Sequence, residues 1–183
     1  MRKISKAVIC AISLSVPATA QQAATGTTPM SLTSSAFQDG GIIPDKYTQA
    51  SATPVSPALN WENAPTATVS FTLVVHDPDN APQKNSEDTL HWLVFNIPGT
   101  VQSLTEGQPA NARLPDGSIQ TKGRLVGFMG PGAHGSVYHH YTFELFALDT
   151  LLPLGTDATR ADVYEAMQGH IIAKAVYVGR FHR

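Results

Sequence analysis

Four residues of this 183-residue chain have types that suit the holding of a small anion: Asp77, His91, His139 and Tyr141. Two imidazoles and a phenol supply hydrogen-bond donors, and a carboxylate can fix the tautomer and orientation of a neighbouring histidine. Each of the three ring residues stands near a loop rich in Pro, Gly, Asp and Asn. Asp77 opens the segment DPDNAPQKNSEDT, and His91 follows it. His139 and Tyr141 follow GFMGPGAHGSVY, whose Gly127, Gly130, Gly132 and Gly135 would let backbone N–H groups come close to a ligand. Together these groups suit a phosphate-like ligand.

The elements that must position them read as short strands between turn clusters. Strands are expected at 69–76 (VSFTLVVH), 90–97 (LHWLVFNI), 139–148 (HHYTFELFAL) and 171–181. In the third, Tyr141, Phe143, Leu145 and Ala147 alternate with Thr142 and Glu144, the period of a strand with one buried face. If the first two strands are antiparallel neighbours, Asp77 and His91 lie at the same end of the sheet. Counting by twos puts Asp77 with Val75, Leu73 and Phe71, and His91 with Leu93, Phe95 and Ile97, so that both border one cavity mouth. His139 and Tyr141 join them from the third strand. A one-residue slip would invert this assignment, and each histidine taken singly fits a locally satisfied strand-end residue better than a ligand-binding group. One helix is expected over 160–167, with Thr159 and Asp162 forming a capping box and Gly169 ending it. The fold class that results is mostly β: an antiparallel sandwich with a short C-terminal helix and long Pro/Gly loops.

Composition excludes several functions. Twelve Lys and Arg against fourteen Asp and Glu give a formal charge of −2, which rules out a strongly basic nucleic-acid surface. Apolar residues are 42% of the chain and charged residues 14%, enough for a core and too little charge for a disordered chain. No GxSxG, P-loop, CxxC or HExxH pattern is present. His76 and Asp77 are adjacent and point to opposite faces, and HHYTFE lacks H-x-H alternation, so neither a metal site nor a cofactor is expected. His134 and His182 read as surface groups, and Trp61 and Trp92 as packing residues.

The first twenty residues read as a secretory leader. Arg2, Lys3 and Lys6 precede the apolar run 7–16, and Ala18-Thr19-Ala20 is a small-x-small cleavage site, so cleavage is expected after Ala20. The run is well short of the ~20 residues that span a bilayer, and no other segment is long and apolar enough. Residues 21–30 read as a flexible lead-in and 31–183 as the single domain. Cleavage removes the one cysteine, Cys10, and leaves nine basic against fourteen acidic residues, a net charge of about −5. The expected location is the periplasm or the medium.

On these residues the chain resembles the phosphatidylethanolamine-binding protein family, in its bacterial Raf-kinase-inhibitor-like branch. SPALNWENAP (56–65), DPDNAP (77–82) with HWLVFNIPG (91–99), GFMGPGAHGSVYHHYTFELFALD (127–149) and AMQGHIIAKAVYVGRF (166–181) carry the resemblance, from about residue 31 to the end. It implies a β-sandwich with a pocket for phosphate-like anions. Asp77, His91, His139 and Tyr141 fall on the pocket positions, and Gly130 and Pro131 in the lining loop. The implied ligand is phosphate, phosphorylethanolamine or another phosphorylated group, and the implied protein target a kinase or serine protease. A hydrolase with His91 or His139 as general base is the competing reading, weakened by the lack of a Ser or Cys motif. The chain departs from the family pattern in three places, one of them KGRLVGF (122–128), where the family has Asn-Asp-Phe-Gly before the Gly/Pro loop. Asn80 is inserted into the DPDAP motif. His140 stands where the family has arginine, so a loop grip through Asp79 is expected to weaken above about pH 6.5.

Overall fold

Alternating apolar residues at 139–148 and 171–181 give two long paired strands, β8 (His139–Leu148) and β9 (Ile171–Phe181), with the expected bounds. The computed structural model describes residues 28–82, 86–121 and 123–183. The leader and the stretch to residue 27 lie outside the described residues. The remaining strands are β1 (Ser31–Thr33), β2 (Gly41–Ile42), β3 (Leu59–Glu62), β4 (Ser70–Asp77), β5 (Thr89–Pro98), β6 (Ser103–Leu104) and β7 (Ile119–Gln120), with one helix, α1 (Arg160–Ala166). They form a three-stranded sheet, β1-β3-β6, and a six-stranded sheet, β2-β9-β8-β4-β5-β7. Pairing is antiparallel except where the two-residue β2 runs parallel to the end of β9. The protein is thus mostly β, two sheets and one short helix, as expected.

The larger sheet is covered on both faces. Between the sheets lie Leu59, Trp61, Phe71, Leu73, Val75, Trp92, Val94, Tyr141, Phe143 and Leu145. Against the outer face pack Val74, Leu93, Phe95, Phe146 and Leu148 with Val163 and Met167 of the helical segment. This double burial explains why β4 is buried along its length, with only His76 less than fully buried.

The helix starts as its sequence dictates. Asp162 N–H donates to Thr159 Oγ1 at 3.2 Å, and Thr159 N–H donates to Asp162 Oδ2 at 2.8 Å, completing the capping box. Gly169 takes φ +80° just beyond its end.

One expectation fails on a backbone irregularity. The register of β4 on β5 runs Val75 opposite Trp92 and then His76 opposite Leu90, so His91 is a surplus residue on its strand. Such a bulge breaks the alternation. Leu93 and Phe95 therefore belong to the outer core, away from the pocket, while Trp92 and Val94 belong to the inner one. Counting by twos from His91 through Leu93 and Phe95 was wrong. The bulge is what puts His91 on the inner face beside Trp92, with Asp77 opposite Thr89.

Candidate functional site

The open end of the inner core is a cavity of about 290 Å³. Asp77, His91, His139 and Tyr141 all line it, contributed by the end of β4, the β5 bulge and the start of β8. Its wall is completed by Gln49, Asn80, Thr89, Arg124, Met129, Gly132, Ala133 and His134. Gly130 lines a second chamber of about 420 Å³ that shares Gln49, Arg124 and Met129 with the first. Pro131 lines neither of these two chambers, and its carbonyl accepts from Gln49 N–H at 2.8 Å.

The two imidazoles are locked through the same ring atom. His139 Nδ1 donates to Asp77 Oδ2 at 2.8 Å, and His91 Nδ1 donates to the Met129 carbonyl at 2.8 Å. Each leaves Nε2 as the ring nitrogen for the cavity. Asp77 is 2% exposed, and its other oxygen accepts Asp79 N–H at 3.0 Å, a turn that folds the loop back at the strand end. His91 is 5% exposed and meets the Tyr141 ring edge-on at 5.0 Å. Burial pushes its pKa below the ordinary imidazole value, against the opposing pull of the Met129 carbonyl and the Asp77 charge. At neutral pH its Nε2 is therefore an acceptor, and it becomes a donor only on taking up a proton.

Tyr141 has a role that the sequence did not reveal. Its hydroxyl oxygen accepts the N–H of Gly132 at 3.1 Å and of Ala133 at 3.0 Å. Burial, with the Asp77 charge adding to it, pushes the phenol up to about 12 against those two bonds. The phenol thus draws the Gly/Pro loop onto the sheet. The expectation that loop amides stand free for a ligand is corrected at Gly132, and also at Gly135, whose N–H goes to the Arg183 carbonyl at 2.8 Å. A Cβ at Gly132 would overlap the Gln49 amide and push that side chain aside. That amide in turn donates to the Gly130 carbonyl at 2.9 Å.

Asn80 and His140, two of the departures, both hold the DPDNAP loop in place. Asn80 closes the loop base: its Nδ2 donates to Thr89 Oγ1 at 3.0 Å, and its carbonyl accepts Thr89 N–H at 3.0 Å. His140 grips Asp79 Oδ2 twice, through its backbone N–H at 2.7 Å and Nδ1 at 2.8 Å. The backbone bond is the leading cause holding the Asp79 carboxyl below its ordinary pKa. The backbone half of this grip does not titrate.

Gln49, Asn80, Thr89, Arg124 and His134 were not singled out as site residues. Asn80 and Thr89 bracket the loop, and that position was the only signal available for them. Gln49 and Arg124 come from segments remote in sequence. Arg124 is exposed and also borders the second chamber, so it brings a permanent positive charge to the cavity. His134, read as a surface group, lies on the cavity wall with its Nε2 3.1 Å from Arg183 Nη2. Among the described residues, no group of three or more His, Cys, Asp and Glu could hold a metal ion.

A two-layer β-structure whose strand ends bring two Nδ1-locked histidines and a buried carboxylate to one small cavity defines a binding protein of a particular family. Its family model, Phosphatidylethanolamine-binding protein, matches residues 33–182, and the chain belongs to that family. A UPF0098 protein of Methanothermobacter thermautotrophicus is 41% identical over 84% of this chain and 99% of its own length. One from Chlamydia pneumoniae is 39% identical over the same shares. The crystal structure of CT736 from Chlamydia trachomatis, described as a homologue of phosphatidylethanolamine-binding protein, superposes with a TM-score of 0.74 at 33% identity, covering 85% of this chain and 98% of that one. Escherichia coli YbcL, described as a member of the mammalian family, gives 0.71 at 27% identity, covering 85% and 99%.

Proposed function

We propose that this is an exported binding protein whose cavity holds a phosphate-like anion, either the head group of a phospholipid or a phosphorylated group on another molecule. The observation that carries the reading is the pair of imidazoles, each held at Nδ1 and each left with Nε2 for a 290 Å³ cavity that Arg124 also borders. That volume is at the small end of ligand pockets, about 300–1,000 Å³. It suits a head group and not a whole lipid.

The tautomers give the binding a direction in pH. An anion on His91 Nε2 needs a proton there, so binding draws a proton onto that buried imidazole and strengthens as pH falls. Asp77 orients His139 across their 2.8 Å bond. The leader sequence supports a location in the periplasm or the medium. A kinase or protease target, as the family resemblance implies, would meet the cavity mouth, where His134 and Arg124 are exposed.

Titration calorimetry with inorganic phosphate and phosphorylethanolamine tests the reading. Loss of one hydrogen bond to a charged group costs about 1.5–3 kcal/mol, so His139→Ala and His91→Ala should each weaken binding roughly 10- to 100-fold. Unchanged affinity in both variants would refute it. Turnover of phosphate esters by the wild-type protein would replace it with the hydrolase reading, in which the Asp77–His139 pair orients a general base.

A further inference from the structure

Behind the cavity, on the opposite face of the sheet, lies a chain of charged groups that the anion site does not use. His76 is the residue next to Asp77 on β4 and points away from the cavity. Its Nδ1 is 2.5 Å from Asp88 Oδ2, and its Nε2 lies 3.5 Å from Glu144 Oε2 on β8, a charge contact longer than a good hydrogen bond. Asp88 is also held by Arg160 of α1 at 2.5 Å, and Arg160 meets the Tyr164 hydroxyl at 3.1 Å. Glu144 is also held by Lys174 of β9 at 2.5 Å, with the ammonium 4.9 Å from the Phe146 ring centre. Four elements of the fold and the approach to β5 thus meet at one imidazole.

Asp88 immediately precedes Thr89. Thr89 lines the anion cavity, pairs with Asp77 in the sheet, and receives the Asn80 amide that closes the loop base. We propose that His76 is a positioning residue for the anion cavity: in its protonated form, between Asp88 and Glu144, it fixes the start of β5 and hence the wall formed by Thr89 and Asn80. The proposal rests on the reading of that cavity as an anion site.

The electrostatics agree with the geometry. Burial pulls the His76 pKa down, but the bonds to Glu144 and Asp88 outweigh it, with Arg160 opposing, and the result lies above the ordinary value. A raised pKa means that the folded arrangement prefers the proton. The stabilisation is complete below the ordinary imidazole value and is lost as pH rises through the raised one. Neutral His76 keeps a single N–H, so one of the two carboxylates then faces an unprotonated nitrogen.

The test is amide exchange at residues 88–91, corrected for intrinsic pH effects, together with affinity for sulfate, which stays a dianion throughout. From pH 6 to 8.5, exchange at these amides in the wild type should rise about fivefold, the scale of one partly exposed ion pair. His76→Gln should remove that pH dependence and lower sulfate affinity at pH 6 by a similar factor. Glu144→Gln keeps the His76–Asp88 bond and should move the midpoint of the exchange profile to lower pH. It serves as the test if His76→Gln does not fold. A flat wild-type profile overturns the proposal, as does a profile unchanged in both variants. A uniform loss of protection with the pH profile intact in His76→Gln would show a merely structural role and overturn it too. A wild type that binds no sulfate at any pH refutes the anion reading instead, and the exchange profile still decides the role of His76.

Discussion

Removing a single oxygen from the centre of the site, by Tyr141→Phe, separates the work of the phenol hydroxyl from that of its ring. The ring is wholly buried and meets His91 edge-on, and phenylalanine keeps both features. What is lost is the acceptor for two backbone donors, Gly132 N–H and Ala133 N–H. Each such bond contributes about 0.5–1.5 kcal/mol net, so the expected cost is about 1–3 kcal/mol. The upper end applies if the two amides stay unpaired, and the lower if cavity water reaches them. For a domain of this size about 2 kcal/mol corresponds to a fall in Tm of roughly 4–8 °C. Scanning calorimetry of the wild type and the Tyr141→Phe variant at one pH, with urea unfolding to check that the m-value is unchanged, measures it. Phosphate affinity should fall as well, because Gly132 and Ala133 are cavity wall. A Tm within about 1 °C of wild type would show that the hydroxyl does not hold the loop, and would refute the reasoning.

Other outcomes follow from the same geometry. Phosphate affinity should fall as pH rises from 5.5 to 8, with proton uptake on binding, because burial holds the His91 pKa down and its Nε2 must be protonated to donate; calorimetry in buffers of differing ionisation enthalpy measures the uptake. The bond from His76, with Lys174 adding to it, outweighs burial and brings the Glu144 carboxyl down to about 2, so its contribution to stability is present above pH 4.5 and lost as pH falls towards 2. Glu144→Gln should flatten that acid limb in pH-dependent urea unfolding. Thr159→Ala removes the helix cap and should cost about 1 kcal/mol by the same assay. Mass spectrometry of the exported protein should find Gln21 as the first residue.

What could be read from the sequence was whatever repeats by a simple period. Strands β8 and β9 were bounded correctly because their inner faces alternate, and α1 because Thr159 and Asp162 announce its start. Strands β1, β2, β3, β6 and β7 were missed: at two to four residues they are too short for alternation to show, and their pairing is set from far along the chain. Asp77, His91, His139 and Tyr141 were brought to one place, but Leu93 and Phe95 were counted onto the cavity face with His91, since a bulge leaves no mark in a run of apolar residues. Gln49 and Arg124 reach the cavity only through tertiary packing, which a linear pattern does not encode. The acceptor role of Tyr141 depends on where the Gly/Pro loop lies, which is likewise a property of the folded chain.

The surplus residue in β5 has an optical consequence. Because His91 and Trp92 leave the strand on the same side, an indole neighbours the imidazole that, on the proposed reading, gains a proton when an anion arrives. That indole is 1% exposed, anchored by Nε1 to Gln120 Oε1 at 2.5 Å, and edge-on to Phe128 at 5.7 Å. A new positive charge beside a rigid, dry indole shifts and quenches its emission. The other tryptophan, Trp61, is packed against Phe71 and bonded to the Val101 carbonyl, on the small sheet. It does not line the cavity and contributes a constant background. Trp92 does not line the cavity either, but it follows His91 directly in the chain, so on the proposed reading occupancy is expected to show in its emission without a label.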